Sequence, residues 1–409
     1  MLGQRYETVN QSWGRKDLIL ARKKSDNGKR GEFQKDIANL LGGGAAQAAF
    51  FSNARTGLHA LLRSLHDKKN RTVMLCALNC PVVSDAVKNS GMKPHYFDLA
   101  TKDGHIDCKA IAAQAPIDCG IVIITHLYGV PAASKRDFVH FVDKNITVIE
   151  DCAHSLGATI EGEVVGTLGD YSIFSFNYDK PISLGGGGMV WSNSVLPNSV
   201  VFESEQAILD TKEEWRELRW FRMFLAMKRF CGVMPPKIGG GLQKLYYYFT
   251  KSLGVADGGS GFPVSGLGGI RSQLGSDIID CYEVIKEVRN QNAANLISQL
   301  ELPIWGGSDT DVSPAWIRLR VLLPSQQVAD GCIAKFRKEG LRVGRFNWPN
   351  LPSAIKESEF PNASLWAKRG VDLPVHSALS AADVDMLALK LNTINDAGWS
   401  SRTESNITV

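Results

Sequence analysis

The chain has almost no surplus of charge of either sign: Lys+Arg 46 against Asp+Glu 42 leaves +4 over 409 residues. So weak a field makes nucleic acid a poor candidate partner, although small phosphate-bearing molecules remain compatible with it. A paired-cysteine framework is missing too. The eight cysteines (76, 80, 108, 119, 152, 231, 281, 332) are scattered. Cys76 and Cys80 are the one close pair and lack the second pair of a zinc set, so free thiols in a reducing compartment are expected. His59, His66, His95, His105 and His140 show no metal-ligand spacing, and no metal is predicted. Long apolar runs are absent as well. Residues 1–24 carry Arg15, Lys16, Arg22, Lys23 and Lys24 but no stretch apolar enough for a secretory leader. The weakly charged residues 119–134 are broken by His126, Gly129 and Pro131 and fall short of the ~20 residues a spanning helix needs. The expectation is a cytoplasmic protein without a membrane span.

What is present is an ordinary globular composition, 44% hydrophobic and 22% charged, which excludes disorder, collagen-like and coiled-coil classes for most of the chain. At roughly 150 residues per domain the length gives about two to three units, or one large α/β domain with a smaller satellite. From Phe50 to Ile160, β-branched runs alternate with helical spacing. Residues 56–65 place Leu58, Leu61, Leu62 and Leu65 on one helix face, with Asn53 positioned as a cap. Strands are predicted at 73–75, 94–99, 120–124 and 146–150, and helices at 81–89 and 134–144. Such alternation predicts a parallel sheet covered by helices, whose ligands sit at the carboxyl ends of strands.

Composition shifts after Asn193. Residues 215–230 mix Arg216, Arg219, Arg222, Lys228 and Arg229 with aromatics. A membrane-surface helix is one reading; a helix packed on the body of the protein or at a subunit interface, with arginines over rings, is preferred. One long helix is predicted over 273–302, a strand over 315–323, and an α+β ending through Ile394, with a polar, disordered tail from Ser400. The domain reading is a cofactor-binding α/β unit at 1–265, containing an insertion-like segment at 194–266, and a smaller α+β unit at 266–409.

Chemistry concentrates between Val148 and Asn193. A strand ends at Glu150 and Asp151 follows it; beyond the strand 171–176 come Lys180 and the run Gly185–Gly188. Taken singly, a loop aspartate is a turn residue, a lysine is a solvated charge and glycines are a flexible turn. Together they match the needs of pyridoxal phosphate. That group requires an amine for its aldehyde, an acid for its pyridine nitrogen and donors for its phosphate. Lys180, Asp151 and a helix N-terminus near Asn53–Thr56 supply all three. A nicotinamide enzyme is disfavoured because no G-x-G-x-x-G follows the first strand.

The order of motifs resembles the DegT/StrS-type sugar aminotransferases. His126-Leu127-Tyr128-Gly129 with Pro131 resembles their HLYGxP, and Glu150-Asp151-Cys152-Ala153-His154 their E-D-x-A-[QH]. Gly166-Thr167-Leu168-Gly169-Asp170 resembles G-x-x-G-D, and Phe174-Ser175-Phe176 with Lys180 resembles F-S-F-x-x-x-K. The resemblance implies a fold-type I pyridoxal 5'-phosphate-dependent aminotransferase: a mainly parallel seven-stranded sheet flanked by helices, plus a small C-terminal α+β domain. It implies that Lys180 carries the Schiff base, Asp151 pairs with the pyridine nitrogen, His154 lies by the ring and Ser175 binds phosphate. Ala54 and Arg55 stand where the family's S-G-T-A cradles phosphate, and Cys80 stands where an aromatic commonly stacks on the ring. Tyr128, Arg345, Asn347, Trp348 and His376 fall where sugar-facing residues tend to occur, although His376 after Pro374 also reads as a core histidine. The implied partners are a nucleotide-linked keto sugar and glutamate. A cyclitol ketone is the alternative acceptor, and a non-catalytic cofactor-binding sensor or partner subunit the alternative function. A homodimer with shared active sites is implied, with Arg271 the candidate to cross over. Gly269 replaces an asparagine the family extends to the neighbouring subunit's phosphate.

Overall fold

The computed structural model describes residues 13–25, 29–43, 48–67, 71–232, 265–307, 311–339, 341, 343–345, 351–352 and 355–396. Two helices that the sequence reading does not anticipate come first, α1 (Arg15–Lys24) and α2 (Lys29–Leu40). Alternation follows: β1 (Ala48–Phe51), α3 (Ala54–Leu65), β2 (Thr72–Cys76), α4 (Pro81–Asn89), β3 (Lys93–Phe97), α5 (Cys108–Ala113), β4 (Cys119–Thr125), α6 (Lys135–Val142) and β5 (Thr147–Asp151). Four strands succeed them, β6 (Thr159–Ile160), β7 (Glu163–Val164), β8 (Tyr171–Ser175) and β9 (Gly188–Ser192). The remainder comprises α7 (Asn198–Ser204), α8 (Thr211–Gly232), α9 (Gly269–Ile279), α10 (Tyr282–Gln299), β10 (Val312–Ser313), β11 (Leu319–Leu322), α11 (Gln326–Lys338), α12 (Pro361–Arg369), β12 (Gly370–Leu373) and α13 (Ala381–Asp396).

Seven strands make one sheet in the order β1-β9-β8-β5-β4-β2-β3, in which β9 runs antiparallel to both of its neighbours. The pairs β2/β3, β2/β4, β4/β5 and β5/β8 are parallel. Alternate residues of these strands face opposite ways. Val73, Leu75, Ile121, Ile123, Ile149 and Ile173 therefore enter one apolar core with α3 and α4, while Met74, Val122, Ile124, Val148 and Phe174 enter another on the opposite face. The parallel strands β2, β4, β5 and β8 end at the same edge, which is where the loops after them converge.

Two expectations about elements are corrected. The single helix over 273–302 is two helices, α9 and α10, broken at Asp280–Cys281. Neither residue is a helix breaker; the break lets Tyr282 bury itself and donate its hydroxyl to the Leu156 carbonyl at 2.5 Å. The strand over 315–323 shrinks to β11 because residues 315–317 bond elsewhere. Ala315 N–H donates to Gly129 O at 2.9 Å and Ile317 N–H to Tyr128 O at 3.3 Å. That approach needs glycine at 129, whose φ is +96° and where a Cβ would lie 2.1 Å from Ala315 O.

The aromatic, arginine-rich stretch forms α8 and packs on the body. Leu218 and Leu225 are buried, Arg22 lies over the Trp215 ring at 4.5 Å, and Arg222 over Trp13 at 6.0 Å. Among the described residues, no helix is long and apolar enough to cross a membrane. Glu214 of α8 is wholly buried and caps α9, accepting from Ile270 N–H at 2.7 Å and Arg271 N–H at 3.0 Å. The tail from Ser400 lies outside the described residues.

Candidate active site

The convergence of strand ends builds a cavity of about 250 Å³. Each wall has a local cause. After β1, Asn53 adopts extended backbone and its Oδ1 accepts from Thr56 N–H at 2.9 Å, which starts α3 with Ala54 and Arg55 in its first turn. First-turn N–H groups have no partner within the helix, which is why helix N-termini hold anions. Gly188 lets β9 pass directly against that turn, since a Cβ there would sit 2.2 Å from Ala54 N. After β2, Asn79 donates to Thr125 Oγ1 at 2.8 Å and accepts from Cys80 N–H at 2.6 Å, which places the half-buried Cys80 as the N-cap of α4.

β5 runs one residue further than the sequence reading allows, so Asp151 is paired within the sheet opposite Thr125 and Ile173. The carboxylate is buried, and Oδ1 accepts from Ala153 N–H at 3.1 Å. Burial raises its pKa, opposed in part by that hydrogen bond and by the Lys180 charge. His154 follows on the same loop. Its Nδ1 accepts from Tyr128 N–H at 3.2 Å, which leaves the ring proton on Nε2. Burial first, then the Lys180 and Arg318 charges, hold the imidazole well below its usual pKa, so it is neutral.

A buried neutral histidine resists protonation that the unfolded chain accepts. The folded pKa is depressed, so the stability this group contributes is present above the unfolded value near 6.5 and is lost as pH falls below it. Between pH 6.5 and 5.5 the unfolding free energy is expected to drop by about 1 kcal/mol more in the wild type than in His154→Gln. Denaturant titration at the two pH values checks it.

Lys180 sits in the turn between β8 and β9, which is fastened by Phe176 N–H to Gly187 O at 2.9 Å and Leu184 N–H to Phe176 O at 2.8 Å. Its Nζ lies 3.7 Å from Asp179 Oδ1, and its side chain is 14% exposed. Lys180, Asp151, His154, Ser175, Cys80, Ala54 and Arg55 all line the one cavity. Asn79, Thr125, Asn177, Tyr178 and Asp179 line it too, without belonging to the sequence-predicted set.

Beneath the cavity the motif residues brace one another. Glu150 is fully buried and accepts from the N–H groups of Gly166, Leu168 and Gly169, each at 2.8 Å. His126 Nε2 donates to the same carboxylate at 3.1 Å, while His126 Nδ1 accepts from Ala132 N–H at 3.0 Å. Together with Cys152, this histidine and glutamate bring potential ligand atoms within 4.8 Å of one another. The hydrogen bonds already engage both imidazole nitrogens and both carboxylate oxygens, and burial keeps the thiol protonated. The trio therefore acts as a brace for the loops bearing Asp151 and Tyr128.

Of the expected sugar-facing residues, the described ones, Tyr128, Arg345 and His376, do not line this cavity. Tyr128 has a positive φ of 61°, which turns its side chain into the core beneath Arg320, 5.0 Å from the ring, and edge-on to Trp305. His376 is buried, and its Nδ1 accepts from Ala378 N–H at 3.3 Å. Arg345 pairs with Asp330 of α11 at 2.6 Å. Asn347 and Trp348 lie outside the described residues. Arg271 is likewise turned inward, held by Glu214 at 3.4 Å and Glu217 at 3.0 Å, because α8 covers the start of α9.

The sequence profile of the DegT/DnrJ/EryC1/StrS aminotransferase family matches residues 17–199, which supply every wall of this cavity. Over that stretch the chain is similar to the members of this family. Over 146 residues the chain is 32% identical to GDP-perosamine synthase of Escherichia coli O157:H7, covering 36% of this chain and 40% of that protein. It is 30% identical over 182 residues to UDP-4-amino-4,6-dideoxy-N-acetyl-beta-L-altrosamine transaminase of Campylobacter jejuni, covering 44% and 46%. The matched stretch thus spans less than half the length of these curated relatives. The likeness of fold is wider. Aminotransferase TlmJ from Streptoalloteichus hindustanus superposes with a TM-score of 0.71 at 18% identity, over 96% of this chain and 99% of that one. The PLP-form of the putative sugar aminotransferase Spr1654 from Streptococcus pneumoniae gives 0.72 at 15%, over 96% and 99%. The fold of those aminotransferases, a fold-type I α/β arrangement, is therefore that of the chain as a whole.

Proposed function

We propose that the chain is a pyridoxal 5'-phosphate-dependent aminotransferase that moves an amino group, supplied by glutamate, to a keto sugar carried on a nucleotide. One observation carries the reading: the amine of Lys180 and the buried carboxylate of Asp151 line a single cavity with the first turn of α3. The residues fit the cofactor. Burial makes the ionised Asp151 costly, a cost that a cationic ring N–H beside it offsets. The N-terminus of α3, Arg55 and Ser175 suit a phosphate.

The bound group supplies an aldehyde for Schiff-base formation and an electron sink for charge that develops at the substrate α-carbon. The protein does the rest. Asp151 keeps a proton on the ring nitrogen, and the first turn of α3 fixes the phosphate end. Lys180 Nζ would hold the group's aldehyde and, when not so engaged, would be the base placed to take a proton from the donor's α-carbon and to return one to the acceptor carbon. His154, neutral with its proton on Nε2, presents a donor beside the ring.

The sugar transaminases named above support the acceptor class. With this reading go a homodimer, the common symmetry of soluble oligomers, a cytoplasmic location, and the division into a large unit at 1–265 and a small unit at 266–409. In purified, cofactor-loaded protein, glutamate is expected to bleach the visible absorbance band and a nucleotide-linked keto sugar to restore it. A loaded band that ignores glutamate would favour the non-catalytic sensor. Restoration by a keto cyclitol but not by the nucleotide sugar would move the acceptor to the carbocyclic class.

A further inference from the structure

The loop that presents Lys180 also presents a carboxylate immediately before it. Asp179 is 9% exposed and lines the same cavity. Its oxygens are divided between two cations: Oδ1 lies 3.7 Å from Lys180 Nζ, and Oδ2 lies 3.4 Å from Nη2 of Arg318, the residue before β11. Arg318 Nη1 then reaches Asp372 of β12 at 3.8 Å, and Asp372 takes Arg320 Nη1 at 2.6 Å. Arg320 stands over the Tyr128 ring at 5.0 Å, and Tyr128 N–H bonds His154 Nδ1 at 3.2 Å. The chain of contacts leaves the cavity at its lysine and returns to it at its histidine.

Charges this well buried are not a solvated face. The Arg318, Arg320 and Asp372 side chains are 1%, 2% and 0% exposed. Three cations (Lys180, Arg318, Arg320) share two anions (Asp179, Asp372); Asp151 also acts on the lysine charge from across the cavity, but among the described residues Asp179 is the carboxylate at ion-pair distance from the amine. A buried anion shared by two cations sets where each of them rests.

We propose that Asp179 is a positioning residue for Lys180: it holds the ε-ammonium whenever the nitrogen is not covalently engaged, while Arg318 limits how firmly it does so. The role in the reaction rests on the aminotransferase reading; the contact itself is tested without it. An amine held as ammonium is a poor nucleophile. Asp179→Asn releases it. Arg318→Gln has the opposite effect, because it removes the competing cation and leaves two cations facing two anions. A role confined to fold stability would loosen the loop in both variants and raise reactivity in both.

The test uses the full-length chain freed of cofactor with hydroxylamine, treated with trinitrobenzenesulfonate at pH 8 and read by peptide mapping at Lys180. Asp179→Asn is expected to raise the rate at that nitrogen about three- to tenfold, and Arg318→Gln to lower it about threefold. An Asp179→Asn rate within twofold of wild type, or an Arg318→Gln rate at or above wild type, overturns the proposal. If Asp179→Asn cannot be recovered folded, Arg318→Gln decides alone. Because no cofactor is present, these outcomes are separate from borohydride labelling of the loaded protein, which tests the aminotransferase reading.

Discussion

Lys180→Ala is expected to lower amino transfer by more than about 10³-fold while leaving the protein folded. The activity loss follows from place and chemistry. Lys180 supplies the amine in the cavity that Asp151 and the first turn of α3 share. The group removed both anchors the cofactor's aldehyde and carries the proton to and from the substrate carbon. The fold survives because the lysine's ion-pair partner Asp179 keeps Arg318 at 3.4 Å. Single-turnover measurement with glutamate is the check, and partial recovery with a small added amine would assign the loss to the missing nitrogen. A variant keeping a tenth of wild-type turnover would remove Lys180 from the chemistry.

Asp151→Asn should separate activity from stability. Its amide has no charge to keep a proton on the ring nitrogen, so turnover should fall by on the order of 10³-fold. Cofactor-free protein should move the other way. The folded pKa of Asp151 is raised by burial. For a raised pKa, stability is full below the unfolded value near 3.8 and is lost as pH rises through the folded one. At neutral pH the wild-type protein therefore bears the cost of an ionised buried carboxylate, and Asn does not. The cofactor-free variant should melt at a higher temperature than cofactor-free wild type at neutral pH, with the gap closing as pH falls toward the unfolded value near 3.8. An unchanged turnover, or a variant less stable at neutral pH, would mean that the carboxylate serves packing. Residues tuned for a ligand commonly carry such a cost in its absence.

Much of the α/β core was legible because local signals and tertiary demands agree. Pro81 at the first position and Ser90-Gly91 at the end delimit α4 as read, and the Asn53 cap fixes the start of α3. The β-branched runs became β2, β4 and β5 because both of their faces are buried. What escaped was decided by distant contacts. α1 and α2 carry only a narrow apolar stripe, Leu18 and Ala21, then Phe33 and Ile37, that gains meaning once α9 lies beneath it. Tyr128 stands in a loop motif that suggests a ligand contact, yet its positive φ sends the ring inward. Arg271 is claimed by Glu214, fifty-seven residues before it in the chain and beyond any local pattern. Asp179, a charge beside a charge, reads as surface until Arg318, the residue before β11, arrives from far along the chain.

The central claim is that the ε-nitrogen of Lys180 carries the cofactor. Borohydride reduction of cofactor-saturated protein, followed by digestion and mass mapping, tests it most directly. The account predicts a reduced pyridoxyl phosphate adduct on the peptide containing Lys180 and on no other lysine. An adduct elsewhere, or an unmodified Lys180 in fully loaded protein, would contradict it.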